Sequence, residues 1–352
     1  MKRREFVWLG GATLFSGYMG CKARVRSRTE SLEALVLEVV VPQLHDVASQ
    51  SDKLDAAAAS FCKTPTDSQL EGLRNQFGTT LLAWKRAQCF QSGPLVTSNA
   101  LLRSTFWPTR VPVVQAMLDA TGPIDDAAVE ALGADAKGLY AIESLLFATA
   151  GGASAVSSSM DARGERSRVL TASLTRNLAG NAARVQSLMG DGKQFATSFA
   201  QAGQASINAV VGHLSMTIES LSVHQLELVL GLSQSHMLRP SEVEAAPSGL
   251  SHAVTLASAE GARALFGGSK QPGVSEMVSA AAAPIAERVA QQFDAALNAL
   301  GKLDQPLERL VVSNRAAVES AAQRVKELER GIKIDVASAL GVTLTFQSGD
   351  AD

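Results

Sequence analysis

Cysteine, tyrosine and tryptophan are scarce in this chain of 352 residues, which has three, two and three of them and only 5% aromatic residues. With so few aromatics beside abundant Ala and Leu, the composition points to helices rather than sheets. Three cysteines are too few to build a small disulfide-held scaffold. No basic run is present, and the formal net charge is −2, which excludes the electrostatic footprint of a nucleic-acid binder. No His-Glu-x-x-His zinc helix, no Gly-x-Ser-x-Gly nucleophile elbow and no glycine-rich phosphate loop occurs. Past the N-terminal region nothing is apolar over a length that would span a membrane.

What is present begins with an export signal. Lys2-Arg3-Arg4 precede an apolar run from Phe6 to Met19, followed by Gly20-Cys21. A charged start, a short apolar stretch and a small residue before the break define a leader rather than a span. Arg3-Arg4-Glu5-Phe6 resembles the twin-arginine type, although general secretory export fits the same leader. Tyr18-Met19-Gly20-Cys21 resembles a lipobox, which makes Cys21 the lipidated first residue of the mature chain. Lys22 does not resemble an inner-membrane retention signal, so the expected location is the periplasmic side of the outer membrane. A plain secretory leader with unmodified Cys21 is the alternative. Loss of the leader takes the net charge from −2 to −4.

Hydrophobic periodicity then lays out an all-α protein. Leu32, Leu35, Val36, Val39 and Val40 follow helical spacing, predicting a helix over 31–62. Thr66-Asp67-Ser68-Gln69 is a capping-box pattern that starts a second helix, striped by Leu70, Leu73, Phe77, Leu81 and Trp84 and stopped by Gly93-Pro94. The stretch to Pro112 reads as irregular, and shorter helices follow over 125–133 and 136–148. Gly151-Gly152 and Ser154 to Ser159 form the best candidate for an interdomain link. A second block of helices is expected over 162–189, 194–232, 252–266, 274–301 and 304–339, with a long ordered loop from Ser233 to Ser251. The expected organisation is a leader (1–20), a tether (21–30), an N-terminal helical bundle (31–155) and a C-terminal one (156–352). Cys62 and Cys89 fall near opposite ends of the first hairpin, so free thiols are expected.

Lys137-Gly138-Leu139-Tyr140-Ala141-Ile142-Glu143, followed by Ser144-Leu145-Leu146-Phe147, resembles the Gly-x-His-x-x-Glu signature of the imelysin-like family, with Tyr140 at the His position. Ala83-Trp84-Lys85-Arg86-Ala87 with Gly93-Pro94-Leu95 is similar to the family's first hairpin and its Gly-Pro exit. Trp107-Pro108 resembles its Trp-Pro element, and Pro247-Ser248 with Ser251 resembles a loop of its second domain. Ala339-Leu340-Gly341-Val342-Thr343-Leu344-Thr345-Phe346, with Asp350 and Asp352, is similar to the closing segment. The resemblance covers most of residues 31–352. It implies two packed helical bundles, a periplasmic or lipid-anchored location and a link to iron acquisition, in a family first classed as metallopeptidases.

The altered motif separates three functional expectations. A catalytic zinc site takes three protein ligands and an open position, which a motif holding Glu143 but no His does not supply. A non-enzymatic binding protein linked to iron or metal uptake, working with iron-uptake partners, could use Tyr140 and Glu143 as an oxygen-rich iron site. Alternatively Tyr140 packs between the bundles with its hydroxyl hydrogen-bonded, and the protein is a metal-free interaction module. Gly138 would permit close helix approach. Arg103 and Arg110 flank Trp107-Pro108 and either bind an anion there, in an interdomain groove, or are ordinary surface or capping cations. His224-Gln225-Leu226-Glu227 is the literal His-x-x-Glu of the chain and reads as a chance pair far from the motif, with His213 near the same face. His45, His236 and His252 read as surface residues.

Overall fold

The stripe that begins with Leu32 and Leu35 is buried along a continuous helical rod. In the computed structural model, which describes residues 26–147, 162–232, 242–268 and 271–344, helix α1 (Arg28–Leu35) opens on a complete capping box between Ser27 and Glu30. It runs through a π-helical turn (Val36–Val40) into α2 (Val41–Lys63). Pro42 lies just past the π turn; with no N–H to give, it is accommodated where the regular ladder is already interrupted. Helix α3 (Asp67–Ala87) starts where the pattern predicts, with the Thr66 hydroxyl accepting from the Gln69 N–H at 3.3 Å. Its Trp84 is buried against α2 and donates to Ser51 at 3.0 Å.

The stretch from Gly93 to Asp119 is more regular than its glycine and prolines predict. It holds short helices α4 (Pro94–Thr97) and α5 (Ala100–Thr105), a cis Trp107-Pro108 peptide, and α6 (Val111–Asp119). Proline at the first or second position costs a helix nothing, because those N–H groups have no partner inside it, and both Pro94 and Pro112 sit there. Helices α7 (Asp126–Glu130) and α8 (Leu139–Phe147) follow.

Helix α9 (Ala162–Met189) follows the expected link in the chain. Chain order assigns it to the second bundle, yet its main packing partner is α2 of the first. Leu170, Leu174, Leu178, Ala182 and Val185 form a stripe that needs an apolar partner, and α2 presents Leu44, Val47, Leu54, Ala58 and Phe61. The proposed Gly-Ser link, the N-terminal leader, residues 233–241 of the long loop and the end of the closing segment lie outside the described residues.

The second bundle is built from α11 (Gln204–Ser220) with its π-helical extension (Leu221–Glu227), α12 (Ser251–Phe266), α13 (Val274–Gly301) and α15 (Arg315–Arg330) with the π turn Gly331–Val336. Shorter α14 (Leu307–Ser313) and α16 (Ala337–Leu340) complete it, while α10 (Lys193–Gln201) packs mainly against α1 and the π turn that follows it. The helix expected over 194–232 is broken at Gly203, whose φ of +59° is left-handed. That expected over 304–339 is broken at Asn314. Helix α13 is kinked, with Ala282 out of helical geometry two residues before Pro284. Among the described residues no strand forms, apart from one isolated bridge between Gly268 and Gln271, and no helix is long and apolar enough to cross a membrane. Cys62 and Cys89 are both free, and Cys89 is buried.

The halves meet where α3 lies against α12. Gly261 makes that approach possible, since a Cβ there would sit 2.2 Å from the Arg86 carbonyl oxygen. Beside it Arg86 and Glu260 pair at 2.7 Å.

Candidate functional site

Helix α8 carries the signature, and its orientation is set at both ends. At the start, Gly138 has φ +77°, and a Cβ would lie 2.6 Å from the carbonyl oxygens of both Arg103 and Ser104. A side chain is therefore excluded twice, by backbone conformation and by space. The buried Lys137 anchors the preceding turn by donating to the Glu130 carbonyl at 2.8 Å. At the far end Arg74 of α3 donates twice to the Leu146 carbonyl, at 2.9 and 2.6 Å, and lies over the Phe147 ring. These bonds tie the last turn of α8 to α3.

Held in this way, α8 aims Tyr140 and Glu143 at the same segment of the second bundle. Both are almost fully buried, at 2% and 3% exposure. The Tyr140 hydroxyl donates to Glu244 Oε1, which also accepts from Lys85 Nζ at 2.8 Å. The other Glu244 oxygen accepts from Gln225 Nε2 at 2.6 Å. Glu143 Oε1 accepts from both the backbone N–H and the hydroxyl of Ser248, the former at 3.1 Å. Two signature residues thus grip the turn between Glu244 and Ser248 at its two ends. Next to that turn, Ser251 at the start of α12 donates to Glu308 at 2.6 Å.

The electrostatics follow from this crowding of buried acids. Burial pushes the Glu143 carboxyl up to about 7, with Glu244 and Glu308 raising it further and the two Ser248 bonds pulling it down. Burial, and then the Glu244 carboxylate, push the Tyr140 phenol well above its ordinary value, so its hydroxyl keeps its proton.

Beside Glu244 lies a cavity of about 300 Å³ lined by Lys85, Gln88, Thr105, Trp107, Ser220, His224, Gln225 and Glu244. A neighbouring lobe of about 190 Å³ shares Lys85, Gln88, Ser220 and Gln225, and adds Cys89, Met216, Thr217 and Ser258. Trp107 is therefore a wall residue. Arg110 is not drawn into this wall; it is largely exposed and pairs with Asp135 at 2.8 Å. Arg103 pairs with Glu130 and faces a separate open depression that Arg176 and Arg184 also line. His224, remote in sequence from the signature, reaches the cavity, whereas Glu227 of the same His-x-x-Glu pairs with Lys326 at 2.6 Å. The two therefore do not converge. His213 is held at about 4 by burial and stays neutral, accepting from the Gln91 N–H at 3.3 Å. His252 bonds the Leu300 carbonyl at 3.0 Å, while His45 is exposed and His236 lies outside the described residues.

The expected iron site at Tyr140 and Glu143 does not fit these donor atoms. Tyr140 is a protonated donor to one partner, and Glu143 is spent on another. Among the described residues no three His, Cys, Asp or Glu side chains converge as metal ligands.

Lys85, Gln88, Gln225 and Glu244 escape a reading of the sequence alone. Lys85 was visible as a charge beside the apolar stripe of α3, and Gln225 as the neighbour of His224. Glu244, in a loop without periodicity, gives no signal.

An all-α, two-bundle protein with a glycine-started signature helix buried at the bundle interface is the class that fold and site define. Residues 40–332 match the sequence profile of the family described as Imelysin, and the chain belongs to that family. It is 31% identical over 151 residues to iron-regulated protein A of Synechococcus elongatus, a match that takes in 42% of this chain and 39% of that protein. The chain thus matches about two-fifths of that relative's length. Its fold is similar to the crystal structure of an imelysin-like protein from Psychrobacter arcticum 273-4, with TM-score 0.72, 20% identity, and coverage of 92% of this chain and 99% of the other. It is equally similar, with TM-score 0.72 and 12% identity, to that of a protein from Parabacteroides distasonis ATCC 8503 described as an iron-regulated protein A precursor, covering 91% and 97% of the two chains.

Proposed function

We propose that this protein is a non-enzymatic binding component of the imelysin type that acts in iron uptake, exported and held by a lipid on Cys21 at the periplasmic side of the outer membrane. Its binding site is the cavity walled by Lys85, Trp107, Gln225 and Glu244. The observation that carries this reading is the use made of the signature: Tyr140 and Glu143 hold the Glu244–Ser248 turn against the first bundle instead of presenting free ligands. With Tyr in place of His, the helix fixes the wall residue Glu244 and lacks the imidazole that would help to hold a catalytic zinc. The leader ending in Gly20-Cys21 supports the anchor, and the names of the Synechococcus and Parabacteroides relatives support the iron connection.

The test is uptake of labelled iron by cells carrying the wild-type protein, a deletion, Cys21→Ala or Glu244→Ala, together with incorporation of a labelled fatty acid. Expected are loss of label and membrane retention in Cys21→Ala, and uptake in Glu244→Ala as low as in the deletion. Unchanged uptake in the deletion sinks the iron role. Protease activity that disappears in Glu143→Gln sinks the non-enzymatic reading.

A further inference from the structure

The cavity wall carries two amide oxygens that nothing among the described residues satisfies. Gln225 is only 7% exposed, and its amino group donates to Glu244 Oε2. A carboxylate can only accept, so this bond fixes which way the amide faces and commits Oε1 to point elsewhere. That oxygen is buried without a hydrogen-bond partner, and so is Gln88 Oε1. Gln88 and Gln225 both line both lobes of the cavity. Buried acceptors left unpaired are rare because they lose the hydrogen bonds they would make in water. Two of them on one small polar cavity mark places where a donor from outside the chain belongs.

The charge on the walls narrows what that donor can be. Lys85 and Glu244 are the formally charged wall residues, and they neutralise each other at 2.8 Å. Because that pair carries no net charge, neither a full cation nor a full anion finds an unpaired counter-charge in the wall. Ser220 adds a hydroxyl that can donate or accept, those of Thr105 and Ser258 donate to the Leu101 and Val254 carbonyls and keep lone pairs that can accept, and Trp107 adds an aromatic surface. We propose that the cavity binds an uncharged, hydroxyl-rich molecule of about monosaccharide size. Its O–H groups donate to Gln88 Oε1 and Gln225 Oε1, and its own oxygens accept from the Ser220 hydroxyl and from Lys85. This rests on the reading above that the cavity is the binding site, but does not depend on the iron role.

Calorimetry and tryptophan fluorescence on the full mature protein in detergent test the assignment. Glucose and myo-inositol are the neutral probes; ethylammonium and gluconate carry charge of either sign. Saturable binding of a neutral probe is expected, weakened at least tenfold by Gln88→Met and by Gln225→Met. Gln88→Met is the deciding variant, because it removes an unpaired acceptor and its ligand-free Tm should be no lower than wild type. Binding of ethylammonium or gluconate but of neither neutral probe overturns the ligand class while leaving the cavity as a site. No binding of any probe means that water fills both lobes and overturns the proposal. The iron role is then still decided by uptake in Glu244→Ala cells.

Discussion

The Tyr140 hydroxyl donates to the carboxylate of Glu244, 104 positions later in the chain. The same carboxylate collects Lys85 from α3 and Gln225 from the π turn, so three elements converge on one side chain of a loop. Removing the hydroxyl leaves a buried acid with one donor fewer. Tyr140→Phe should lower unfolding stability by about 1.5–3 kcal/mol, the range for hydrogen bonds to charged groups, as read from urea midpoints at unchanged slope.

Gly138→Ala should be worse. The added methyl would meet two backbone carbonyls at 2.6 Å in a left-handed conformation, and backbone cannot yield as a flexible side chain can. A loss of more than about 2 kcal/mol is expected, with poor soluble yield as the simplest reading.

Two further glycines give a paired test of the bundle interface. Alanine in an open helix position stabilises by up to about 1 kcal/mol over glycine. Gly212 on α11 has nothing within 4 Å of its missing Cβ, so Gly212→Ala should raise Tm. Gly261 on α12 faces the Arg86 carbonyl at 2.2 Å, so Gly261→Ala should lower Tm by pushing α3 and α12 apart.

Glu143 sets a pH dependence. Its folded carboxyl titrates at about 7 against 4.5 for the ordinary group, so between these values the folded chain binds the extra proton. Stability from this residue is therefore greatest below pH 4.5, falls as pH rises through the interval and levels off above 7, by up to about 3 kcal/mol. Glu143→Gln keeps an acceptor for Ser248 and carries no charge. Its Tm advantage over wild type should grow from pH 5 to pH 8; a constant difference across that range would show that Glu143 does not titrate there.

Much of the fold was legible because it rests on local rules. The stripes of α2 and α3, the Thr66 cap and the span 162–189 each follow from i, i+3, i+4 spacing and capping chemistry within a few turns. Gly203 and Asn314 leave no mark in the pattern because one or two residues of broken helix do not disturb a periodicity read over a dozen.

The sequence by itself determined that the protein is helical and that it carries an imelysin-type signature opened by Gly138 and altered at Tyr140. These are properties of neighbours along the chain. Only the tertiary structure decided that α9 joins the first bundle, that Tyr140 and Glu143 end on Glu244 and Ser248, and that Gln88 and Gln225 share a cavity wall. Those pairings join segments up to 137 positions apart, from Gln88 to Gln225, and nothing in local periodicity encodes which buried donor will meet which buried acceptor.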